Sequence, residues 1–166
     1  MTSEAVLTVI DQVRDLPADA LAPLVAEGER DGWRFVRRLA DEWAAGINRF
    51  DRPGEALFVA RAGSSLVGVC GLNADPNAGD DTIGRVRRLY VLREYRGSGA
   101  GRRLVEAVIA SAIGHFRTLR VRTTNPEAGR LYERLGFRPV AGVTDCTHVL
   151  QLPPILSADR STNEPR

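Results

Sequence analysis

Between residues 86 and 103 the chain reads VRRLYVLREYRGSGAGRR, a strand-like apolar run that breaks into a turn of Gly97, Ser98, Gly99, Ala100 and Gly101. An amphipathic stretch follows, with Leu104, Val108, Ile109 and Ala112 at helical spacing until about Gly114. A strand that turns through glycines into a helix points several free backbone N–H groups at one place, and the positive end of the helix adds to them. Glycine suits the turn because positive φ is often required there and because a Cβ keeps an anion away from the backbone. Phosphate is the usual occupant of such a turn. Arg85, Arg87, Arg88, Arg93, Arg96, Arg102 and Arg103, against the single acid Glu94, make this the most densely positive part of the chain.

Two common phosphate motifs do not fit. A P-loop needs GxxxxGK followed by Ser or Thr, and the chain contains no lysine; a dinucleotide fingerprint needs GxGxxG, whereas the spacing here is Arg96-x-x-Gly99-x-Gly101. On the loop alone, a tight strand-to-helix connection flanked by solvated arginines stays open as the plainer reading.

The remaining chain supplies the context. An opening strand, AVLTVIDQV, precedes a helical region from Pro17 to about Asn48 that Gly28 and Gly32 interrupt, with Trp33, Val36, Ala40, Trp43 and Ile47 at helical spacing. ALFVARAG and LVGVCGL, joined by Gly63-Ser64-Ser65, read as an antiparallel hairpin, and IGRVRRLYVL as the strand before the glycine turn. TLRVRTT is a further strand. NPEAGRLYERLGF is a helix with its own signals, Asn125 as cap, Pro126 in the first turn and Gly136 just past the end. FRPVAG and CTHVLQL close the order as two strands, giving an α/β chain with a mixed sheet and helices on both faces. Residues 1–152 read as a single domain and 153–166 as a flexible tail.

Composition narrows the function classes. At 166 residues the chain buries a sufficient core without disulfides or metal. Cys70 and Cys146 form no CxxC, and with only His115 and His148 beside them they point to no metal site; both read as reduced, buried residues. Cys146 and His148, two apart on a strand, form a thiol–base pair only if the thiol pKa is lowered, and nothing in the sequence lowers it. All 23 basic residues are arginine, so lysine nucleophiles and Schiff bases are excluded. A net charge of +2, with few aromatics among the arginines, argues against a nucleic-acid partner. The absence of a long apolar run argues against a membrane span, and the start lacks a secretory pattern, so a cytoplasmic location is expected.

Arg96-x-x-Gly99-x-Gly101 after LYV resembles the acetyl-CoA signature of the GNAT superfamily of N-acetyltransferases. The superfamily's second signature is matched at Asn125, 24 residues beyond Gly101, with Tyr132 seven residues further on. The resemblance spans about residues 5–152 in element order and is specific over roughly 83–138. It implies the GNAT acyl-CoA N-acyltransferase fold, a central, mostly antiparallel sheet with helices on both faces, and acetyl-CoA as acetyl donor without a metal.

Carried over residue by residue, the resemblance implies that Arg96, Gly97, Ser98, Gly99, Ala100, Gly101 and Arg102 hold the pyrophosphate of CoA through their N–H groups. Whether the Arg96 side chain touches phosphate or only fixes the loop stays open. Leu89, Tyr90 and Val91 would pair with the pantetheine arm as an added strand does, with the Val91 N–H as oxyanion donor. Asn125 would contact the arm, cap its helix, or do both. Tyr132 would protonate the leaving thiolate, the alternative being simple packing.

The reaction implied is direct acetyl transfer to a primary amine of a small molecule or peptide. A glutamate often serves as base in such enzymes, yet the matching positions hold Arg85 and Arg120, which cannot. Glu27, Glu29, Asp80 and Asp81 are the substitutes, with ordered water as the alternative. Glu27, Glu29, Trp33 and Phe35 are the expected acceptor contacts, the acids suiting a cationic amine. A homodimer is compatible with the resemblance, and a non-catalytic acyl-CoA-binding or regulatory module is the alternative function.

Overall fold

The computed structural model describes residues 7–17 and 19–156. Ala5 and Val6 of the expected opening strand and residues 157–166 of the expected tail lie outside these. The elements follow the expected order: β1 (Thr8–Val13), α1 (Ala22–Arg30), α2 (Phe35–Ala44), β2 (Ala56–Ala62), β3 (Ser65–Ala74), β4 (Ile83–Val91), a short 3-10 turn (Arg93–Tyr95), α3 (Ala100–Ala112), β5 (Thr118–Val121), α4 (Pro126–Arg134), β6 (Arg138–Pro139) and β7 (His148–Gln151).

The seven strands among the described residues form one sheet in the order β1-β2-β3-β4-β5-β7-β6. It is antiparallel except where β4 meets β5. Gly63, at φ 58°, turns β2 back into β3, as the turn signal requires. These two central strands are buried along almost their whole length because helices cover both faces, so they read as continuous apolar runs instead of alternating ones. On one face Leu104, Val105 and Val108 of α3 join Val86, Leu119 and Tyr132 in a buried cluster. On the other, Leu24 and Val25 of α1 and Val36, Leu39 and Trp43 of α2 pack on Leu57, Val59, Val69 and Tyr90. Each large apolar side chain buried this way contributes roughly 1.5–3 kcal/mol.

Two irregularities of β4 shape its surroundings. Its parallel seam with β5 lasts three register pairs, ending at Arg85↔Arg120; β4 then runs on to Val91 while β5 stops at Val121. The strands part there and leave one side of β4 uncovered. On its other side, Gly71 faces Arg87 and Val69 faces Tyr90, so Arg88 and Leu89 together stand opposite Cys70. This is a β-bulge, and Arg88 takes φ 62° to make it.

Three details differ from the sequence reading. Gly28 does not break a helix: it lies buried inside α1, where a Cβ would meet the Trp33 carbonyl at 3.3 Å, so small size explains it. Ile47 lies beyond the end of α2 and is exposed instead of sharing the helix's buried face. The strand expected over FRPVAG is only Arg138–Pro139, since proline supplies no ladder donor.

Candidate active site

The parted strands bound a groove of about 880 Å³, lined by Val86 to Val91 on one wall and by Val121 to Asn125 with α4 on the other. At one end lies the glycine turn. Gly97 and Gly99 take φ 79° and 88°, a region that costs other residues strain, and Gly99 opens α3. At both, the space a Cβ would fill is open, so an anion can approach the backbone. Arg96, Gly97, Gly99, Gly101 and Arg102 line the groove. Ala100 is buried as the first residue of α3, and the Ser98 hydroxyl donates back to the Tyr95 carbonyl at 2.5 Å.

The Arg96 side chain fixes the loop. Its Nε donates to the Val91 carbonyl at 2.9 Å, its guanidinium stands 5.3 Å from the Tyr90 ring centre, and an Nη lies 3.7 Å from Glu27. Leu92 N–H donates to the Val67 carbonyl on β3 at 2.8 Å. Strand alternation therefore turns the Val91 N–H away from β3, toward the groove.

Tyr132 forms part of the opposite wall, 97% buried, with its ring edge-on to Phe137 at 5.3 Å. Burial first, and then the neighbouring Cys70 thiol, hold its phenol well above the usual value of 10.0, so it keeps its proton at neutral pH. Burial likewise pushes the Cys70 thiol up and leaves it inert. Asn125 caps α4, accepting the Glu127 N–H at 3.0 Å, and also lines the groove. Cys146 donates to the backbone carbonyl of His148 at 3.3 Å, while the imidazole faces Thr147 Oγ1 at 2.9 Å; the two side chains make no thiol–base pair.

The expected acids lie elsewhere. Glu27 Oε1 accepts the Tyr90 hydroxyl and the Arg93 N–H, both at 2.8 Å. Glu29 pairs with Arg37 on the surface at 2.5 Å. Neither lines the groove, whereas Trp33 and Phe35 do. Asp80 is held below the usual carboxylate range by hydrogen bonds from Thr82 and by Arg117, which suits it poorly as a base. Among the described residues, the groove is instead lined by eight arginines and one acid, Glu127. Arg85 and Arg120 stand 4.0 and 3.8 Å from the buried Asp75. Sequence reasoning missed the bulge and its buried Arg88. The available signal was the arginine pair between Val86 and Leu89, which interrupts strand alternation.

The parted sheet and its flanking helices define a GNAT fold. The chain belongs to the GNAT acetyltransferase family, whose model, Acetyltransferase (GNAT) family, matches residues 19–137. An acetyltransferase-like protein from Exiguobacterium sp. 255-15 is 28% identical with a TM-score of 0.77, covering 87% of this chain and 93% of that one. YncA from Salmonella typhimurium, solved with acetyl-CoA, is 19% identical with a TM-score of 0.64, covering 92% and 98%. The GNAT family N-acetyltransferase YhbS from Escherichia coli, solved with CoA, is 20% identical with a TM-score of 0.64, covering 92% and 86%. No curated protein matches the sequence.

Proposed function

We propose that this protein is an acetyl-CoA-dependent N-acetyltransferase that moves the acetyl group directly to a primary amine of a small molecule or peptide. The observation that carries the reading is the opening between β4 and β5 beyond Arg85 and Arg120, which joins the glycine turn at one end to the Tyr132 wall. The residues fit the donor: Gly97 and Gly99 offer open backbone for a pyrophosphate, and the uncovered side of β4 offers main-chain partners for the pantetheine amides. Acetyl-CoA, as co-substrate, supplies the activated acetyl thioester.

The residues then divide the work. Loop N–H groups from Gly97 to Arg102 hold the donor's phosphates, and Leu89 to Val91 with Asn125 align its arm. The Val91 N–H donates to the acetyl oxygen as the amine nitrogen attacks the carbonyl carbon; one such donor is typically worth ~3 kcal/mol of barrier. The C–S bond breaks and Tyr132 gives its proton to the departing thiolate, a contribution of ~10²–10⁴-fold. The amine's proton leaves to water, since among the described residues the groove places no carboxylate where family enzymes often have one.

CoA release with a panel of amines tests the reading, comparing Tyr132→Phe with the parent. The expected loss is ~10²-fold or more in kcat; equal turnover at every pH would remove Tyr132 as the acid. Arginine at both customary acid positions favours a second reading, a non-catalytic acyl-CoA-binding module. It predicts calorimetric CoA binding without turnover on any amine, and a single good acceptor excludes it.

A further inference from the structure

The groove's arginines divide by position. Arg96 and Arg102 belong to the glycine turn, while Arg38 of α2 and Arg85, Arg87 and Arg88 of β4 line the part beyond Val91, since β4 reaches Val91 before the chain enters that turn. Arg85 is matched: it lies 4.0 Å from Asp75 and donates to the Asp145 carbonyl at 3.0 Å. Asp75 also serves Arg120.

Arg88 has no such match. Its side chain is 92% buried, and its Nε and Nη2 find no hydrogen-bond acceptor among the described residues. Its one carboxylate neighbour among the described residues, Glu42, stays 3.5 Å away and shares the neighbourhood with Arg38 and Arg87. A buried guanidinium held by a strained bulge with two nitrogens unsatisfied is costly, and an anion brought by a ligand satisfies it. CoA phosphates at the glycine turn are not that anion, because Arg88 lies on the other side of Val91. At ~3.3 Å per residue, Arg88 stands within roughly 10 Å of Val91 along the strand, inside the reach of an arginine side chain and a small molecule together.

We propose that the acceptor amine carries a carboxylate, and that Arg88 binds it with Arg87 and Arg38 beside it. The proposal rests on the N-acetyltransferase reading. The planar guanidinium fork matches a carboxylate at two points, Glu42 yields its long contact when the ligand arrives, and Trp33 and Phe35 border the rest of the acceptor.

CoA release is measured on the full chain with L-phenylalanine, L-leucine and L-glutamate, with their α-carboxamides, and with spermidine. The free acids are expected to be used at least ~10-fold better than the amides, and Arg88→Gln to raise the acids' KM on the order of 10–100-fold, the size of a charge-assisted pair. The KM for acetyl-CoA and the constants for the amides stay within about twofold, since this pair touches neither. Arg88→Lys, which keeps the charge without the fork, recovers part of the loss, and Glu42→Gln lowers the acids' KM. Equal use of amides or spermidine, or an equal loss on all acceptors in Arg88→Gln, overturns the proposal. Calorimetry of the same compounds on the CoA-saturated protein separates the two readings. Acid binding that Arg88→Gln abolishes upholds the carboxylate site even where nothing is acetylated, in which case the catalytic reading alone fails. Turnover of spermidine without preference for acids sinks the site and leaves that reading standing. Should Arg88→Gln fail to fold, Arg88→Lys and Glu42→Gln decide by the same criteria.

Discussion

The Tyr90 hydroxyl donates to Glu27 Oε1 at 2.8 Å, joining the groove strand β4 to helix α1. The same oxygen accepts the Arg93 N–H and lies 3.7 Å from Arg96, so one carboxylate ties the end of β4, the following turn and the glycine loop to the helix layer. Glu27→Gln is expected to cost about 1.5–3 kcal/mol, the scale of hydrogen bonds to a charged group. Because the loop loosens, the KM for acetyl-CoA rises while the order of preference among acceptors is kept. Thermal melting and separate KM values for donor and acceptor check both halves.

The same contact has an alkaline signature. Burial first, and then Glu27, push the Tyr90 phenol up to about 12. The unfolded chain releases that proton near 10. The contribution to stability is therefore complete below pH ~10 and is lost as pH rises through the folded value. Denaturant midpoints between pH 8 and 12 are expected to fall less steeply in Tyr90→Phe than in the parent; parallel slopes would assign the alkaline loss to other groups.

Gly97 and Gly99 hold positive φ with open space at their Cβ positions, so alanine there meets backbone strain alone. Gly99→Ala is expected to cost ~1–2 kcal/mol and to weaken acetyl-CoA binding. Gly101→Ala places its Cβ in ordinary contact, 3.6 Å from Leu131 and 3.7 Å from Val91, at a position without positive φ. It is expected to leave stability nearly unchanged. Melting and donor calorimetry on the two variants check the contrast.

Asp75, almost fully buried, is the carboxylate that Arg85 and Arg120 share at the parallel seam. Asp75→Asn leaves two adjacent guanidinium groups facing each other without a counter-charge. The expected loss is about 3 kcal/mol, since removing one partner of a buried ion pair strands the other. Added Arg85→Met should recover part of it, read as a double-mutant cycle in denaturant.

The parts of the fold most legible in the sequence were those that punctuate it. Gly63 at the β2–β3 turn, Asn125 and Pro126 at the start of α4, and Gly136 at φ 99° after it each answer a local backbone demand, and each stands where expected. The groove's two walls were legible through the glycine turn and the Asn125–Tyr132 spacing, because both depend on short stretches of chain. The surroundings of Glu27 and Arg88 were not. Whether an acid faces a ligand or a tyrosine 63 positions away is decided by packing between elements, which no local pattern encodes. The Gly28 reading failed for a related reason: a glycine chosen to let Trp33, Val36 and Tyr90 come close looks the same in sequence as one that ends a helix.

On the function proposed above, the arginines along the groove that are unmatched among the described residues also bear on protonation. A field of fixed positive charge raises the free energy of an ammonium ion and lowers the pKa of an amine seated in it. For the amine acceptor proposed above, such a field favours the neutral, nucleophilic form, and the solvent takes the proton that a glutamate would otherwise remove. Arg85 and Arg120 share Asp75, so that field comes from the unmatched Arg88 with Arg38 and Arg87 beside it, and on the proposed function the pH–rate curve should follow the ionisation of the amine itself instead of that of any side chain.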